Sequence, residues 1–255
     1  MTFKFKKVGK ATIRNPILIE GLPGIGNVGK IAADFIVDSL KAKKIYEVYS
    51  YNFPHAVFVN EKNLVELPVI DMYSARVKGQ DLLLLVGDIQ PIDEVSCYEF
   101  CDGVLDLVEK YNCKEVITIG GIGLQDIPTD PMVFCTANDP KMVKRYHSPK
   151  LRTDIHGVVG PIIGVSGLLV GLAGQRNISS IAFLAETYGH PNYLGIKGAR
   201  AVLEILNKHL KLNLDLQQLD EEIGKIEKEI KTKIRQIESL QKGSSKKSVE
   251  TNYIG

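Results

Sequence analysis

Glycine dominates the one stretch of this chain whose spacing suggests chemistry. In Gly21-Leu-Pro-Gly24-Ile-Gly26-Asn27-Val-Gly29-Lys30, the residues Gly24, Gly26 and Gly29 spell G-x-G-x-x-G. That pattern lets backbone approach a pyrophosphate at a helix N-terminus. Read in another frame, Gly24-x-x-x-x-Gly29-Lys30 is a P-loop up to its final position, where Ile31 replaces the Ser or Thr that would hold magnesium. Gly24, Gly26, Asn27, Gly29 and Lys30 are therefore the candidate ligand loop. The same glycines also have a purely structural reading, because a strand that turns sharply into a helix needs them for positive φ and close approach. On that reading Gly26 should tolerate alanine poorly and Lys30 should tolerate it well. The acidic residue that a ribose calls for about twenty positions on is matched by Glu47, in a lysine-rich turn.

Other constellations are thin. Ser166 in Gly164-Val-Ser166-Gly-Leu168 departs from the G-x-S-x-G elbow at its last position. No H-E-x-x-H and no dense acidic motif occurs. Glu186 and His190 stand near one another at the end of an expected strand and are compatible with a pocket there, without a nucleophile beside them. Cys97 and Cys101 share a face of an expected helix, but two ligands are not a metal site. With Cys113 and Cys135 they read as buried, reduced thiols. No cofactor and no metal is expected.

The elements that must position the loop follow from hydropathy. Pro16 to Glu20 reads as a strand and Ile31 to Leu40 as a helix, with the glycine turn between them. Phe3 to Lys6 alternates like an edge strand, and Ile45 to Phe53 is extended. Residues 56–59 and 64–67 form a hairpin about the turn at 60–63, followed by an extended run from Val69 to Val77. Extended pieces joined without helices imply antiparallel strands within the sheet. Asp81 to Val86 and Glu115 to Ile119 are continuous apolar runs of doubly covered strands, with a helix from Asp93 to Tyr111 between them. The sheet is thus mixed, which weighs against a simple Rossmann domain.

A second glycine corner, Gly120-Gly121-Ile122-Gly123, reads as a tight exit turn that could line one crevice with the first loop. Residues 133–136 suggest a short strand and residues 139–146 a short helix. The uncharged run from Gly157 to Gly174 is at the short limit for a membrane span and carries Pro161 near its start, so a buried loop followed by a core helix is expected. Ser179 to Ala185 is a further strand, and Gly195 to Leu210 a helix.

Beyond it, Leu216, Leu219, Ile223, Ile226, Ile230, Ile234, Ile237 and Leu240 recur at spacings of three and four among Glu, Lys and Gln. Such a narrow seam on a charged helix packs against another helix. A polar linker and an apolar tip, Tyr253-Ile254-Gly255, follow. The expected organisation is an α/β domain over residues 1–212, an amphipathic helix over 213–241 and a flexible tail over 242–255. A net charge of +2, from 32 basic and 30 acidic residues, gives no drive toward nucleic acid or acidic membranes. Residues 1–7 lack the apolar core of a signal peptide, so a cytoplasmic location is expected.

Taken together, the run from Pro16 to Gly29, the corner Gly120 to Gly123, Ser166-Gly-Leu-Leu-Val-Gly-Leu172 and Glu186-Thr187, in that order, resemble the PAC2 family. These are the proteasome assembly chaperones and their archaeal homologs, and the likeness spans roughly residues 15 to 240. The resemblance implies a three-layer αβα sandwich with a mixed sheet, similar to the purine nucleoside phosphorylase fold but without its catalytic activity, plus a long C-terminal helix. It also implies homo-oligomers that engage proteasome α subunits or the α-ring, partly through a C-terminal hydrophobic-Tyr-any tail. Tyr253, Ile254 and Gly255 would make that contact, although Tyr253 is third from last rather than next to last and follows the polar Asn252. Members of the group have also been likened to ATP-grasp or carboligase enzymes. That alternative places a nucleotide or small ligand at the Gly24 to Lys30 loop, yet the chain shows no magnesium ligands for it.

Overall fold

The computed structural model describes residues 2–155, 160–221, 223 and 224. Contacts divide the chain into Met1–Asp215 and Leu216–Gly255. Within the second unit the backbone is helical over 217–221. The rest of the expected seam from 225 onward, the linker and the Tyr253 to Gly255 tip lie outside the described residues.

The first unit is built on nine strands in one mixed sheet. Chain order begins with β1 (Lys4–Lys7), β2 (Ile17–Gly21), a single 3-10 turn (Ile25–Asn27), α1 (Val28–Ser39) and β3 (Lys43–Tyr49). It continues through β4 (Phe58–Val59), β5 (Val65–Glu66), β6 (Ile70–Val77), β7 (Gln80–Gly87), α2 (Glu94–Glu109) and β8 (Glu115–Leu124). Then come β9 (Val133–Ala137), α3 (Pro140–Arg145), β10 (Leu151–Arg152), α4 (Val165–Gln175), β11 (Ser179–Tyr188) and α5 (Ile196–Leu210). The sheet runs β1-β3-β6-β7-β2-β8-β11-β9-β10. Its centre, β7-β2-β8-β11, is parallel, in keeping with the apolar runs of β2, broken only by Glu20, and β7 as strands covered on both faces. The β1-β3-β6-β7 side is antiparallel, and β9 runs antiparallel to β11. Lysine fills three of the four positions of β1 and keeps that edge from pairing further.

Alternation along β2 sorts the helices into two layers. Leu18 packs into a cluster with Phe100 and Val104 of α2 and Val165 and Leu169 of α4. Gly21 points the other way and lies so close to α1 that a Cβ there would fall 2.2 Å from the Gly29 carbonyl oxygen. Helices α1 and α5 pack together on that face, and α2 and α4 on the opposite one. The mixed α/β sandwich expected from sequence is therefore the fold.

Four expectations change. The hairpin at 56–67 is not part of the large sheet: β4 and β5 pair only with each other, two residues each, with Phe58, Val59 and Val65 exposed. The second glycine corner is strand rather than turn, since β8 continues through Gly120 to Leu124 in register with Leu184 to Tyr188. The glycines there serve close approach instead, for a Cβ on Gly121 would stand 2.2 Å from the Ile25 carbonyl oxygen. The segment before α4 is not buried as expected, with Gly160, Pro161 and Ile163 exposed. Lastly, Lys30 is half-buried and bridged, as described below, so alanine there is now expected to cost stability.

Candidate functional site

Strands β2 and β8 are parallel neighbours whose connections leave in opposite directions. After β2 the chain passes through α1 to β3, on one side; after β8 it goes to β9, β10 and β11, on the other. Such a divergence opens a crevice outside the carboxyl ends of the strands. A cavity of about 480 Å³ lies there. The first glycine loop supplies one wall through Leu22 to Ile25 and Gly29, and β8 supplies another through Ile119 to Gly123. The segment 160–163 and Ser166 of α4 close it.

The glycine loop is held from outside by specific bonds. Gln90 donates from Nε2 to the Pro23 carbonyl at 2.6 Å and accepts from the Val165 N–H at 3.2 Å, clamping the loop to the start of α4. Gly26 sits at φ 62°, against Thr187, and its carbonyl accepts from the Gly195 N–H at 2.7 Å. Asn27 is left-handed as well, at φ 51°. Of the five candidate loop residues, Gly24 and Gly29 line the crevice, whereas Gly26, Asn27 and Lys30 do not.

Lys30 is turned toward the end of β7. Its ammonium lies 3.0 Å from Asp34 and 3.3 Å from Asp88 and donates to the Gly87 carbonyl at 3.0 Å. Burial works against its charge, but the two aspartates outweigh burial and hold the ammonium above its usual pKa. A P-loop lysine reaches for phosphate; this one is already bridged. Among the described residues the crevice wall contains no charged side chain, so these residues offer a triphosphate no counter-charge.

The polar feature of the site is beneath it. Glu20, on the α2/α4 face of β2, is fully buried. Its Oε1 accepts from the Leu22 N–H at 3.0 Å, while Oε2 has no partner. Burial raises its pKa from 4.5 to about 7, against the lowering effect of the Leu22 N–H and Ser166. Thr118, its register partner on β8, is also fully buried, and its Oγ1 has no partner either. Ser166 donates from Oγ to the Ile119 carbonyl at a long 3.4 Å. A carboxyl, two hydroxyls and an uncharged crevice thus meet at the end of β2 and β8. A lone glutamate inside the apolar run Ile17-Leu-Ile-Glu20 was the sequence signal for this nest; Thr118 carried none.

The remaining sequence candidates disperse. Glu186 accepts from the Met132 N–H at 2.9 Å, and His190 stacks on Tyr188 with centroids 5.8 Å apart. Glu47 of β3 faces Lys44 of the same strand and Lys6 of β1. The four cysteines are buried and free; Cys101 lies beside Cys97, whose hydrogen bond and the surrounding burial push the Cys101 thiol far above its usual range. Among the described residues no group of three or more His, Cys, Asp or Glu could hold a metal ion. Nor is any described helix long and apolar enough to cross a membrane.

Comparison with known proteins places this geometry. The structure of PbaB from Pyrococcus furiosus, an archaeal proteasome activator, superposes with a TM-score of 0.83 at 33% identity, over 92% of this chain and 100% of that one. PbaA from the same organism, an archaeal homolog of proteasome-assembly chaperone, gives 0.77 at 25% identity over 96% and 97%. An uncharacterized protein of Methanocaldococcus jannaschii is 28% identical over 248 residues, covering 95% of this chain and 93% of its own. The PAC2 family model matches residues 18–234, and with it the chain belongs to the PAC2 family.

Proposed function

We propose that the protein is a noncatalytic, chaperone-like adaptor that binds proteasome α subunits, acting as a homo-oligomer in the cytoplasm. The observation that carries this reading is the likeness to the Pyrococcus proteasome activator, which extends over the whole of that chain. One feature of the molecule agrees with it. The β4–β5 ribbon, with Phe58, Val59 and Val65 standing in solvent, is the kind of exposed apolar feature that protein partners cover. The Tyr253-Ile254-Gly255 segment is the proposed α-ring contact, an apolar pair that follows a polar stretch.

The test is affinity capture with the full-length protein from native lysate of its own organism, with partners identified by mass. Proteasome α subunits should be recovered in salt-resistant, stoichiometric amounts. Recovery of other proteins with no α subunit would overturn the reading.

A further inference from the structure

Glu20, Thr118 and Ser166 bear on none of the contacts invoked for an adaptor. Buried polar groups are almost always partnered; here two adjacent ones are not. Their adjacency is fixed by register, since Glu20 and Thr118 are paired residues of β2 and β8 and point to the same face. Of the residues that touch the Glu20 carboxyl, Leu22 and Ser166 are also part of the crevice wall. The orphan oxygen therefore lies one side chain below a 480 Å³ space. Ser166 stands between the two, making a long bond to the Ile119 carbonyl and lowering the Glu20 pKa through its hydroxyl, so a rotation of that hydroxyl opens the way to Glu20.

The chemistry of a fitting ligand follows from the wall. Leu22, Ile119, Ile162 and Leu184 offer an apolar sleeve, and among the described residues no charged side chain lines it. At the floor, the free groups are a carboxylate oxygen and a threonine hydroxyl, both able to accept. We propose that the crevice is a binding site for a small molecule with an apolar body and one protonated amine, whose ammonium pairs with Glu20 and Thr118. The pairing supplies the buried carboxylate with the counter-charge it lacks.

Direction with pH distinguishes this from adventitious apolar binding. The titratable groups facing Glu20 are Cys97, which raises its pKa, and Cys101, both on α2; Ser166 of α4, Thr118 of β8 and Leu85 of β7 carry no charge. With a carboxyl that titrates at about 7, the ionised fraction rises about tenfold between pH 6 and pH 8. Amine affinity should rise by the same factor.

The experiment is ligand-observed NMR and calorimetry on the full-length protein with n-butylammonium, and with 1-butanol as the uncharged probe of the same body. Butylammonium should bind at millimolar concentration or better, about tenfold more tightly at pH 8 than at pH 6, and butanol at least tenfold more weakly. Glu20→Gln should abolish the preference for the amine. Gly24→Leu tests the crevice independently, because a Cβ at Gly24 meets no atom within 4 Å. It should keep the melting temperature and weaken binding several-fold. No butylammonium binding, equal binding of both probes, affinity independent of pH, or binding unaltered in Gly24→Leu would each overturn the proposal.

Discussion

A carboxyl buried without a counter-ion makes stability depend on pH, and Glu20 fixes the direction. Its pKa is ordinary in the unfolded chain and about 7 in the fold, raised by burial. Below pH 4.5 both states hold the proton and the fold loses nothing. As pH climbs toward 7 the unfolded chain releases its proton first, which costs the fold about 3 kcal/mol by the neutral-alkaline side. Burial also raises Asp34 and Glu115, with the same sign, so only a comparison isolates Glu20. Between pH 5 and pH 8 the urea midpoint of the native protein should fall more steeply than that of Glu20→Gln. Parallel curves would show that Glu20 does not titrate as a buried acid. Lys30 belongs to the same scale. Removing its ammonium leaves Asp34 half-buried beside Asp88 with no cation between them, so Lys30→Ala should cost about 1 kcal/mol in a denaturant titration. An unchanged midpoint would return Lys30 to the silent role that the sequence suggested.

At the scale of the element, the glycine loop separates into positions that need glycine and one that does not. Gly26 has φ 62° and lies 2.5 Å, at an imagined Cβ, from Thr187 Oγ1. Gly24→Ala, by contrast, meets nothing. Gly26→Ala should lower stability by at least about 1 kcal/mol and Gly24→Ala by less than about 0.5, read from thermal melts. Equal effects would remove the structural account of the loop. Strand-turn-helix was legible here because the apolar run and the glycines abut. What sequence did not carry was partnership. The Gly120 to Gly123 segment looks like a turn by composition, but ten consecutive pairs between β8 and β11 make it strand. The 56–67 hairpin has strand composition and a proper turn, yet no neighbour for its edges in the large sheet. Glu20 was visible as a charge in an apolar strand, whereas Thr118 became significant only through register. Lys30 was read in the frame of a motif, and the two aspartates that claim it are four residues and 58 residues away.

For the whole molecule, the proposed docking to a proteasome α-ring would use surfaces that act together. A short apolar tip on a polar linker binds weakly alone, because ordering it costs entropy, but several copies on one oligomer raise avidity without new contacts. Removal of residues 249–255 should leave the melting temperature of the protein unchanged and weaken α-ring binding, by a factor that grows with subunit number. The most direct measurement is surface binding of the full-length protein and this truncation to immobilised, purified α-ring from the same organism. The account predicts saturable binding by the full-length protein and at least tenfold weaker binding by the truncated one. No saturable binding of the full-length protein at micromolar concentration would contradict it.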